Sequence, residues 1–307
     1  MVLKALVGLM AAFVSDFDGT LCYYQNKNND QTSDITTLPK SSSGKVGVIS
    51  GKTQRLISEI SSTGTEVIIA SGMRPDTMRT RISYFPSIRY WVCENGGLIF
   101  QTAADPTTGN LNVSEIVEWS SIFENDLVGR EALEALAGKL RSSSDVSIDR
   151  IGYRTMIRIK KVNSEFDLGE IKKMIPKNLK YTTNLGYLDV FLQHSGKLSA
   201  IKWLLSHLSS KYEESETIQT DGSVDGEVAS LFRYMGDDDN DVEIGSNAHA
   251  LYVTLPCSNL LKETAHKYLK MPREGAPHVH IASSEGPTGA EENLAHALAS
   301  IIEEKGS

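Results

Sequence analysis

The chain has 307 residues, of which 40% are apolar and 23% charged, and its formal net charge at pH 7 is −8. That length can bury the core of one large domain or of two ordinary ones. The acidic balance argues against a protein that binds nucleic acid or an anionic membrane surface, because both partners require a basic face. A small anionic molecule is not excluded, since a local site can be positive on an acidic protein.

The cysteines and the start of the chain indicate a cellular compartment. Cys22, Cys93 and Cys257 are far apart and form no CxxC pair. This pattern disfavours a disulfide framework or a zinc site and favours a reducing, cytoplasmic location. No apolar run reaches the length of a membrane span. The opening MVLKALVGLMAAFV could form a short signal peptide, but cleavage after Ala12 would remove most of the apolar run before Asp16.

The first part of the sequence alternates between short apolar strands and an amphipathic helix. We predict, in order, a buried strand at 11–15, a polar loop or flap at 22–44, a helix at 52–61, and strands at 65–70 and 88–97.

Residues 103–193 have a different pattern, which predicts an inserted α+β unit. The insert contains the acidic helical stretch EALEALAGKL, the alternating strand YRTMIRIK, the helix DLGEIKKMI and the strand YLDVFL. The βα alternation then resumes with the helix SGKLSAIKWLLSHL, the strands LFRYM and ALYVTL, and a last helix that opens with Thr288 and Glu291 at capping-box spacing. An extra loop is predicted at 213–230. This alternation predicts an α/β fold with a doubly wound parallel sheet.

Polar clusters follow three of the predicted strands, at 16–20 (DFDGT), 71–74 (SGMR) and 236–241 (GDDDND). In doubly wound sheets, ligands bind beyond the carboxyl ends of the strands. Neighbouring strands would therefore bring these clusters together in one crevice.

Asp16 and Asp18 alternate in an extended segment, so both could face one site. Each has a reference pKa of about 4 and would be charged at neutral pH unless something compensates. Carboxylates packed together favour a divalent cation, and all-oxygen ligation suits Mg²⁺. Further carboxylates that could complete the metal shell, hold waters or orient Lys197 follow a later strand: Asp237, Asp238, Asp239 and Asp241.

These groups together favour phosphoryl transfer. One aspartate can attack phosphorus and form an acyl phosphate. The second can protonate the leaving oxygen and then deprotonate the hydrolytic water. Ser71 and nearby backbone N–H groups could bind phosphate oxygens, although Ser71 could also cap the helix after it. Lys197, at the start of a helix, could add a positive charge.

Four segments in order, DFDGT, ASG, GK at the head of a helix, and GDDDND, resemble the motifs of the haloacid dehalogenase-like (HAD) phosphatase superfamily. The insert between the second and third motifs resembles a type C2 cap. ENGG before it and LDVFLQHSGK after it resemble subclass IIB, with its C2B cap and its Cof-type and sucrose-phosphatase-like sugar phosphatases. The resemblance implies a Rossmann-like catalytic core at 1–102 and 194–307, and a substrate-specificity cap at 103–193.

The resemblance also implies a role for each motif residue. Asp16 would be the nucleophile and Asp18 the general acid/base. Asp16, the backbone carbonyl of Asp18, and Asp237 would hold Mg²⁺. The phosphate would be bound by Ser71, Gly72 and Lys197, with support from Asp238, Asn240 and Asp241.

Two sets of residues carry weaker implications. Many relatives have T-G-R in the second motif, whereas SGMR places Arg74 one position later, which leaves its role at the phosphate open. Cap residues should select the substrate, and candidates lie before or on the last cap strand and on an alternating strand: Thr183, Asn184, Tyr187, Asp189, Arg154 and Arg158.

The sequence thus predicts a Mg²⁺-dependent phosphatase that hydrolyses a phosphate monoester of a small metabolite, in particular a sugar phosphate. We expect a monomer or weak homodimer with a small-molecule substrate and without a nucleic-acid or membrane partner. A phosphomannomutase-like sugar phosphomutase, a broad phosphatase and a catalytically silent binding protein on the same fold are alternatives. The intact motif residues argue against the silent protein, and dependence on a sugar bisphosphate would identify the mutase.

Overall fold

The computed structural model describes residues 12–24, 34–41, 44–105, 107–184, 186–216, 232–270 and 276–306, with side chains of the sixth helix described only to residue 210. The apolar start of the chain, part of the predicted flap and most of the loop predicted at 213–230 lie outside the described residues.

Strands occur throughout the described part of the chain and fall into three sheets. In chain order they are β1 (Ala12–Ser15), β2 (Tyr23–Tyr24), β3 (Ile35–Thr37), β4 (Gly47–Ser50), β5 (Glu66–Ala70), β6 (Tyr90–Cys93), β7 (Leu98–Ala104), β8 (Leu111–Glu115), β9 (Val146–Asp149), β10 (Met156–Lys161), β11 (Leu179–Asn184), β12 (Tyr187–Leu192), β13 (Phe232–Gly236), β14 (Ala250–Leu255) and β15 (His278–Glu285).

Helices connect most of these strands. In chain order the described α-helices are α1 (Gly51–Ser62), α2 (Pro75–Arg79), α3 (Val117–Glu124), α4 (Leu127–Leu140), α5 (Leu168–Met174), α6 (Lys197–Glu216), α7 (Val242–Ser246), α8 (Asn259–Lys270) and α9 (Gly286–Gly306). None of them is both long enough and apolar enough to cross a membrane, as judged from the described residues.

The central sheet has eight strands in the order β15-β14-β13-β1-β5-β6-β7-β8, and the first six of them run parallel. Successive residues of a strand face opposite sides. Phe13 therefore packs with Leu56 of α1 and Leu294 of α9, whereas Val14 packs with Ile201 of α6 on the other face. Both faces are covered, as a parallel sheet requires. The predicted doubly wound α/β core is confirmed.

A four-stranded antiparallel sheet, in the order β11-β12-β10-β9, forms the inserted unit together with α4 and α5. We call this unit the cap. The N-terminal boundary at 102/103 falls inside β7, which continues to Ala104 and pairs with β8. Strand pairing therefore places residues up to Glu115 with the central sheet. The sequence could not indicate this, because β7 and β8 pair at the sheet edge.

Two local predictions also differ from the structure. The segment predicted as a polar loop or flap contributes β2 and β3, which pair with β4 in a small antiparallel sheet. We call this sheet, with the residues that connect β3 to β4, the flap. The last helix begins at Gly286, directly after β15, so Thr288 lies inside its first turn and not at its N-cap.

Candidate active site

Three polar clusters meet where neighbouring strands of the central sheet end. Asp16 follows β1, Ser71 follows β5 and Asp237 follows β13. These strands are adjacent and parallel, in the order β13-β1-β5. Their carboxyl ends therefore lie at the same edge of the sheet, where ligands of such folds bind.

Lys197, the first residue of α6, is a buried cation between two carboxylates. Its Nζ lies 3.0 Å from Asp16 Oδ2 and 2.6 Å from Asp241 Oδ1, and it also donates to Tyr234 Oη at 3.4 Å. Burial by itself lowers the pKa of Lys197, but Asp16 and Asp241 raise it overall. Lys197 is therefore charged at neutral pH.

Asp241 positions Lys197 and the turn that follows β13. Its Oδ1 accepts from Lys197 and from the Tyr234 hydroxyl. Its Oδ2 accepts from the backbone N–H groups of Asp237 at 2.9 Å and Asp238 at 3.0 Å. These donors match the roughly four acceptor sites of a carboxylate. Asp241 thus holds Lys197 and this turn in place, and its supporting role in catalysis stays a prediction.

The Asp237 carboxylate packs against the Gly-Thr pair of DFDGT. Thr20 Oγ1 donates to Asp237 Oδ1 at 2.5 Å. Gly19 has a φ of +88°, and a Cβ built on it would lie 2.2 Å from Asp237 Oδ2. Glycine is required here both for the left-handed backbone and for the close approach of the carboxylate.

Asp16, Asp237 and Asp241 form a buried carboxylate cluster that fits a hard divalent cation. One oxygen from each lies within 4.8 Å of the other two. Burial raises the pKa of Asp16 to about 7, although Lys197 opposes the rise, and burial together with Asp241 holds the pKa of Asp237 well above its usual range. Lys197 alone does not balance three carboxylates, and oxygen donors are those that such a cation prefers. Because Asp241 is already engaged, Asp16 and Asp237 are the better ligands.

The side chain of Asp18 lies outside that cluster and faces a cavity. Its Oδ1 accepts from Tyr24 Oη of the flap at 2.8 Å. The cavity has a volume of about 50 Å³ and is lined by residues of the flap, the core and the cap. The carboxylate therefore faces this cavity and not the buried carboxylate cluster, and its role as general acid/base stays a prediction. The expectation that the backbone carbonyl of Asp18 binds Mg²⁺ stays a prediction.

Ser71 and Gly72 lie where the cap approaches the core. Ser71 is buried, its N–H donates to Val92 O at 2.9 Å, and its Oγ accepts from Met73 N at 3.3 Å. A Cβ on Gly72 would lie 2.6 Å from Asn184 Nδ2 of the cap. Arg74, and not Ser71, is the N-cap residue of α2. The phosphate-binding role of Ser71 and Gly72 stays a prediction.

Asn95 links the loop after β13 to the cap. Its Oδ1 accepts from Asn240 Nδ2 at 3.1 Å, and its Nδ2 donates to Asp189 Oδ2 at 2.9 Å. Asn95 has a φ of 51°, in the left-handed region that asparagine tolerates better than most residues. Asn240 thus belongs to a hydrogen-bond network that reaches the cap, and its supporting role in catalysis stays a prediction.

Thr183, Asn184 and Tyr187, predicted as substrate contacts, all lie where the cap meets the core. Asn184 approaches Gly72, and Tyr187 lines the cavity that contains Asp18. The Thr183 hydroxyl donates to Asp239 Oδ2 at 2.8 Å, which joins the cap to the turn after β13. Their contact with a substrate remains a prediction.

Asp189 and Arg158 form a buried ion pair on the face of the cap sheet directed toward the core. Arg158 Nε and one terminal nitrogen donate to the two Asp189 oxygens, both at 2.6 Å. Asp189 has no exposed surface, whereas Arg158 lines the cavity in front of Asp18. Asp189 therefore holds Arg158 in place and does not itself face the cavity.

Arg74 binds the cap in this structure. One terminal nitrogen pairs with Asp149 Oδ1 at 2.5 Å, Nε donates to Ile151 O at 2.7 Å, and the guanidinium stacks 4.2 Å from the centroid of the Tyr153 ring. Arg74 thus lies at the cap–core interface and lines the cavity in front of Asp18, and its role at the phosphate stays open.

The structure contradicts the expectation for Arg154. β10 begins at Met156, so Arg154 precedes the strand and does not share the alternation of Arg158. Its guanidinium pairs with Glu115 at 2.6 Å and with Glu124 at 2.7 Å. It lines a separate cavity and not the one in front of Asp18.

We expect Arg154→Met to change kcat/KM less than about twofold, because Arg154 does not line the cavity in front of Asp18. Its partly exposed ion pairs contribute only about 0–1 kcal/mol to the free energy of unfolding. Arg158→Lys keeps the charge but loses one of two hydrogen bonds to Asp189, and we expect a loss of about tenfold. Steady-state kinetics on a phosphate ester, with thermal unfolding to verify folding, compares the two. Equal losses of kcat/KM in the two variants would contradict the conclusion that Arg158, and not Arg154, faces the active-site cavity.

Several residues of the site were not predicted as functional residues. Thr20 and Asn95 lie inside the quoted segments DFDGT and ENGG, so their motif positions were the available signal. Tyr24, Lys45 and Tyr234 have no motif, and long-range packing brings them to the site.

No family model matches the chain, and no curated protein matches it in sequence. Solved structures match its fold. The C-terminal domain of the C. albicans trehalose-6-phosphate phosphatase is 14% identical, with a TM-score of 0.53 over 97% of this chain and 96% of that domain. A member of a phosphoryl-transfer superfamily is 12% identical, with a TM-score of 0.54 over 95% and 100%. A HAD-superfamily phosphatase from Bacteroides thetaiotaomicron is 15% identical, with a TM-score of 0.50 over 96% of both chains.

Proposed function

We propose that this chain, which has the fold of the HAD-superfamily phosphatases, is a Mg²⁺-dependent phosphatase that acts through an aspartyl phosphate on Asp16. One observation carries the proposal: the Asp16 carboxylate lies at the carboxyl end of a central strand, 3.0 Å from Lys197 and beside Asp237. A nucleophile, a fixed cation and a metal-binding carboxylate are thereby brought to one point. The substrate would be a phosphate monoester of a small metabolite.

Asp16 is held for attack by two contacts. Its Oδ1 accepts the N–H of Phe17 at 2.7 Å, and its Oδ2 pairs with Lys197. In the first step an Asp16 oxygen bonds to phosphorus while the bond from phosphorus to the ester oxygen breaks. Asp16 must be ionised to attack, and Lys197 favours that form against the effect of burial.

Asp18 would move the proton in both steps. It protonates the leaving ester oxygen, then takes a proton from the water that attacks phosphorus, which frees Asp16 and inorganic phosphate. The Tyr24 hydroxyl orients Asp18 toward the cavity where the leaving group would lie. Mg²⁺, held by Asp16, Asp237 and the carbonyl of Asp18, would supply positive charge against the phosphate.

Lys197, Ser71 and Gly72 would bind the phosphate. The Lys197 ammonium is fixed by Asp241 and needs no reorganisation when the phosphate arrives. Such preorganised charge would stabilise the negative charge that develops in the transition state.

The cap supports a small polar substrate, in particular a sugar phosphate. Its core-facing sheet residues include charged and aromatic side chains that suit a hydroxylated or anionic molecule: Asp149, Arg158, Lys160 and Tyr187. The cavity of about 50 Å³ is far smaller than the roughly 300–1,000 Å³ of a typical small-molecule site. We propose that the cap, whose last residue in the sequence we place near 193, opens to admit substrate and closes over it.

Phosphate release from sugar phosphates, nucleotides and small phosphate esters tests this function. We expect release that requires Mg²⁺, stops with EDTA and is absent from Asp16→Asn. Activity concentrated on a few sugar phosphates would support the substrate class. Release that persists in Asp16→Asn would contradict the nucleophile, and activity only with a sugar bisphosphate present would indicate a mutase.

A further inference from the structure

The cavity in front of Asp18 has an excess of positive charge. Four cations line it, and two carboxylates accompany them besides Asp18, so the cations remain in excess by one when Asp18 is counted. The cations are Lys45 of the flap, Arg74 of the core, and Arg158 and Lys160 of the cap; the carboxylates are Asp149, which lines the cavity, and Asp189, which pairs with Arg158.

The two carboxylates leave part of this charge unbalanced. Both oxygens of Asp189 accept hydrogen bonds from Arg158, so the negative charge of Asp189 balances the positive charge of Arg158. Asp149 is shared, because its Oδ1 contacts Arg74 at 2.5 Å and its Oδ2 contacts Lys160 at 2.7 Å. Burial would raise the pKa of Asp149, but these two cations lower it overall, so Asp149 contributes one negative charge to both.

Lys45 has aromatic neighbours in place of a carboxylate. Its Nζ lies 4.9 Å from the ring centroid of Tyr24 and 5.7 Å from that of Tyr187. Within the described part of the chain, no salt bridge involves Lys45. A ring face stabilises an ammonium group but leaves its charge in place. Lys45 therefore retains its capacity to bind an anion.

Lys45 and Lys160 approach the same side chain from different parts of the fold. Both ammonium nitrogens lie within 6 Å of the Tyr187 ring centroid, at 5.7 and 5.6 Å. Lys45 comes from the segment between β3 and β4, and Lys160 lies on β10. The flap and the cap thus contribute one cation each to the end of the cavity marked by Tyr187.

We propose that Lys45 and Lys160 form a subsite for a second anionic group, a carboxylate or a second phosphate, on the leaving group of the substrate. This inference rests on the proposed phosphatase function and narrows its substrate class to phosphate esters with two anionic groups. Asp18 lines the same cavity, so the leaving oxygen and the second anion would occupy one continuous space. Charge-assisted hydrogen bonds from two ammonium groups would hold the anion.

The first experiment compares three substrates that share one hexose: the monophosphate, the corresponding aldonic acid phosphate and the bisphosphate. For the wild type we expect kcat/KM to be at least about tenfold higher for one or both of the doubly anionic esters, mainly through KM. The aldonic acid and bisphosphate arms distinguish a carboxylate from a phosphate. Equal kcat/KM for all three would overturn the proposal.

Variants assign the preference to the subsite. Lys45→Met and Lys160→Met should each lower the ratio of doubly to singly anionic kcat/KM about tenfold, and Lys45→Arg should retain most of it. Lys161→Met is the matched control, because Lys161 is the exposed neighbour of Lys160 on the opposite side of β10. An equal fall of the ratio in the control would overturn the assignment.

A binding measurement separates failure of this subsite from failure of the proposed function. If p-nitrophenyl phosphate and the sugar esters all release no phosphate, the phosphatase proposal fails. Calorimetry with Asp16→Asn and Mg²⁺ then decides the subsite by itself. Tighter binding of a doubly anionic ester, lost in the Asp16→Asn/Lys45→Met double variant, would support it, and equal binding of all three esters would overturn it.

Discussion

Asp16→Asn is expected to abolish phosphate release and, in the metal-free protein, to increase stability at neutral and alkaline pH. The amide cannot attack phosphorus, so we expect a loss of at least about 10³-fold in kcat. The gain in stability arises because asparagine removes a buried negative charge from a cluster that Lys197 does not balance. Activity and stability would therefore change in opposite directions.

The pH dependence has a definite sign. Burial raises the pKa of Asp16 from 3.8 to about 7 in the folded chain. The folded state then binds more protons than the unfolded state between these values, so the stability of the metal-free protein falls as the pH rises from about 4 to about 7. The change from Asp16 alone is at most about 4 kcal/mol. Asp16→Asn should lack this part of the decline.

Thermal unfolding with EDTA at pH 5 and pH 8 measures this effect. We expect the Tm of the wild type to fall more between the two values than the Tm of Asp16→Asn. Asp189→Asn is the control, because Asp189 is a buried carboxylate whose charge Arg158 balances. That substitution should destabilise the protein by about 3–5 kcal/mol, since it leaves Arg158 without its partner charge. Destabilisation by Asp16→Asn at pH 8 would contradict the inference that Lys197 leaves negative charge of the carboxylate cluster unbalanced.

Gly19→Ala is expected to lower Mg²⁺-dependent activity by at least about 100-fold, although the substitution adds only one methyl group. The Cβ would lie 2.2 Å from Asp237 Oδ2, so the carboxylate must shift from its place beside Gly19. The left-handed backbone at φ +88° adds roughly 1–2 kcal/mol for a residue with a Cβ. A displacement of about 1 Å at a reacting group can cost about 100-fold in rate.

Gly109→Ala separates backbone strain from the collision with Asp237. Gly109 also has a positive φ, +70°, but a Cβ there meets nothing within 4 Å. We expect this variant to lose about 1–2 kcal/mol of stability at most and to keep its activity. The increase in Tm on adding Mg²⁺ is the second measurement, and it should be smaller in Gly19→Ala than in Gly109→Ala. The same Mg²⁺ response in both variants would show that Asp237 is not displaced.

Local sequence patterns were sufficient for the parallel strands that carry the candidate site, β13, β1 and β5, and for the residues at their ends. DFDGT, the strand before it and GDDDND after LFRYM placed Asp16 and Asp237 at strand ends, and strand ends of a parallel sheet meet at one edge. The prediction of Lys197 required the order of the four motifs, because a single lysine at a helix start carries little information by itself.

Only the tertiary structure could assign the remaining charged residues. Arg154 and Arg158 have the same spacing as two residues on one face of a strand, yet the strand begins between them and they line different cavities. Arg74 has a partner in Asp149, far away in the sequence, and Asp18 is oriented by Tyr24 of the flap. Side-chain partners across such distances depend on how the cap and flap pack on the core.

The sequence by itself therefore determined the fold of the core, the order of the motifs and the carboxylates that meet at β1 and β13. The tertiary structure decided which cations face Asp18, how Asn95 and Asp189 connect the cap to the site, and that Lys45 and Lys160 share Tyr187. The physical reason is the separation along the sequence of the residues that interact. Periodicity and strand ends follow from neighbours along the chain, whereas charge pairing between the flap, core and cap follows from long-range packing that no local pattern encodes.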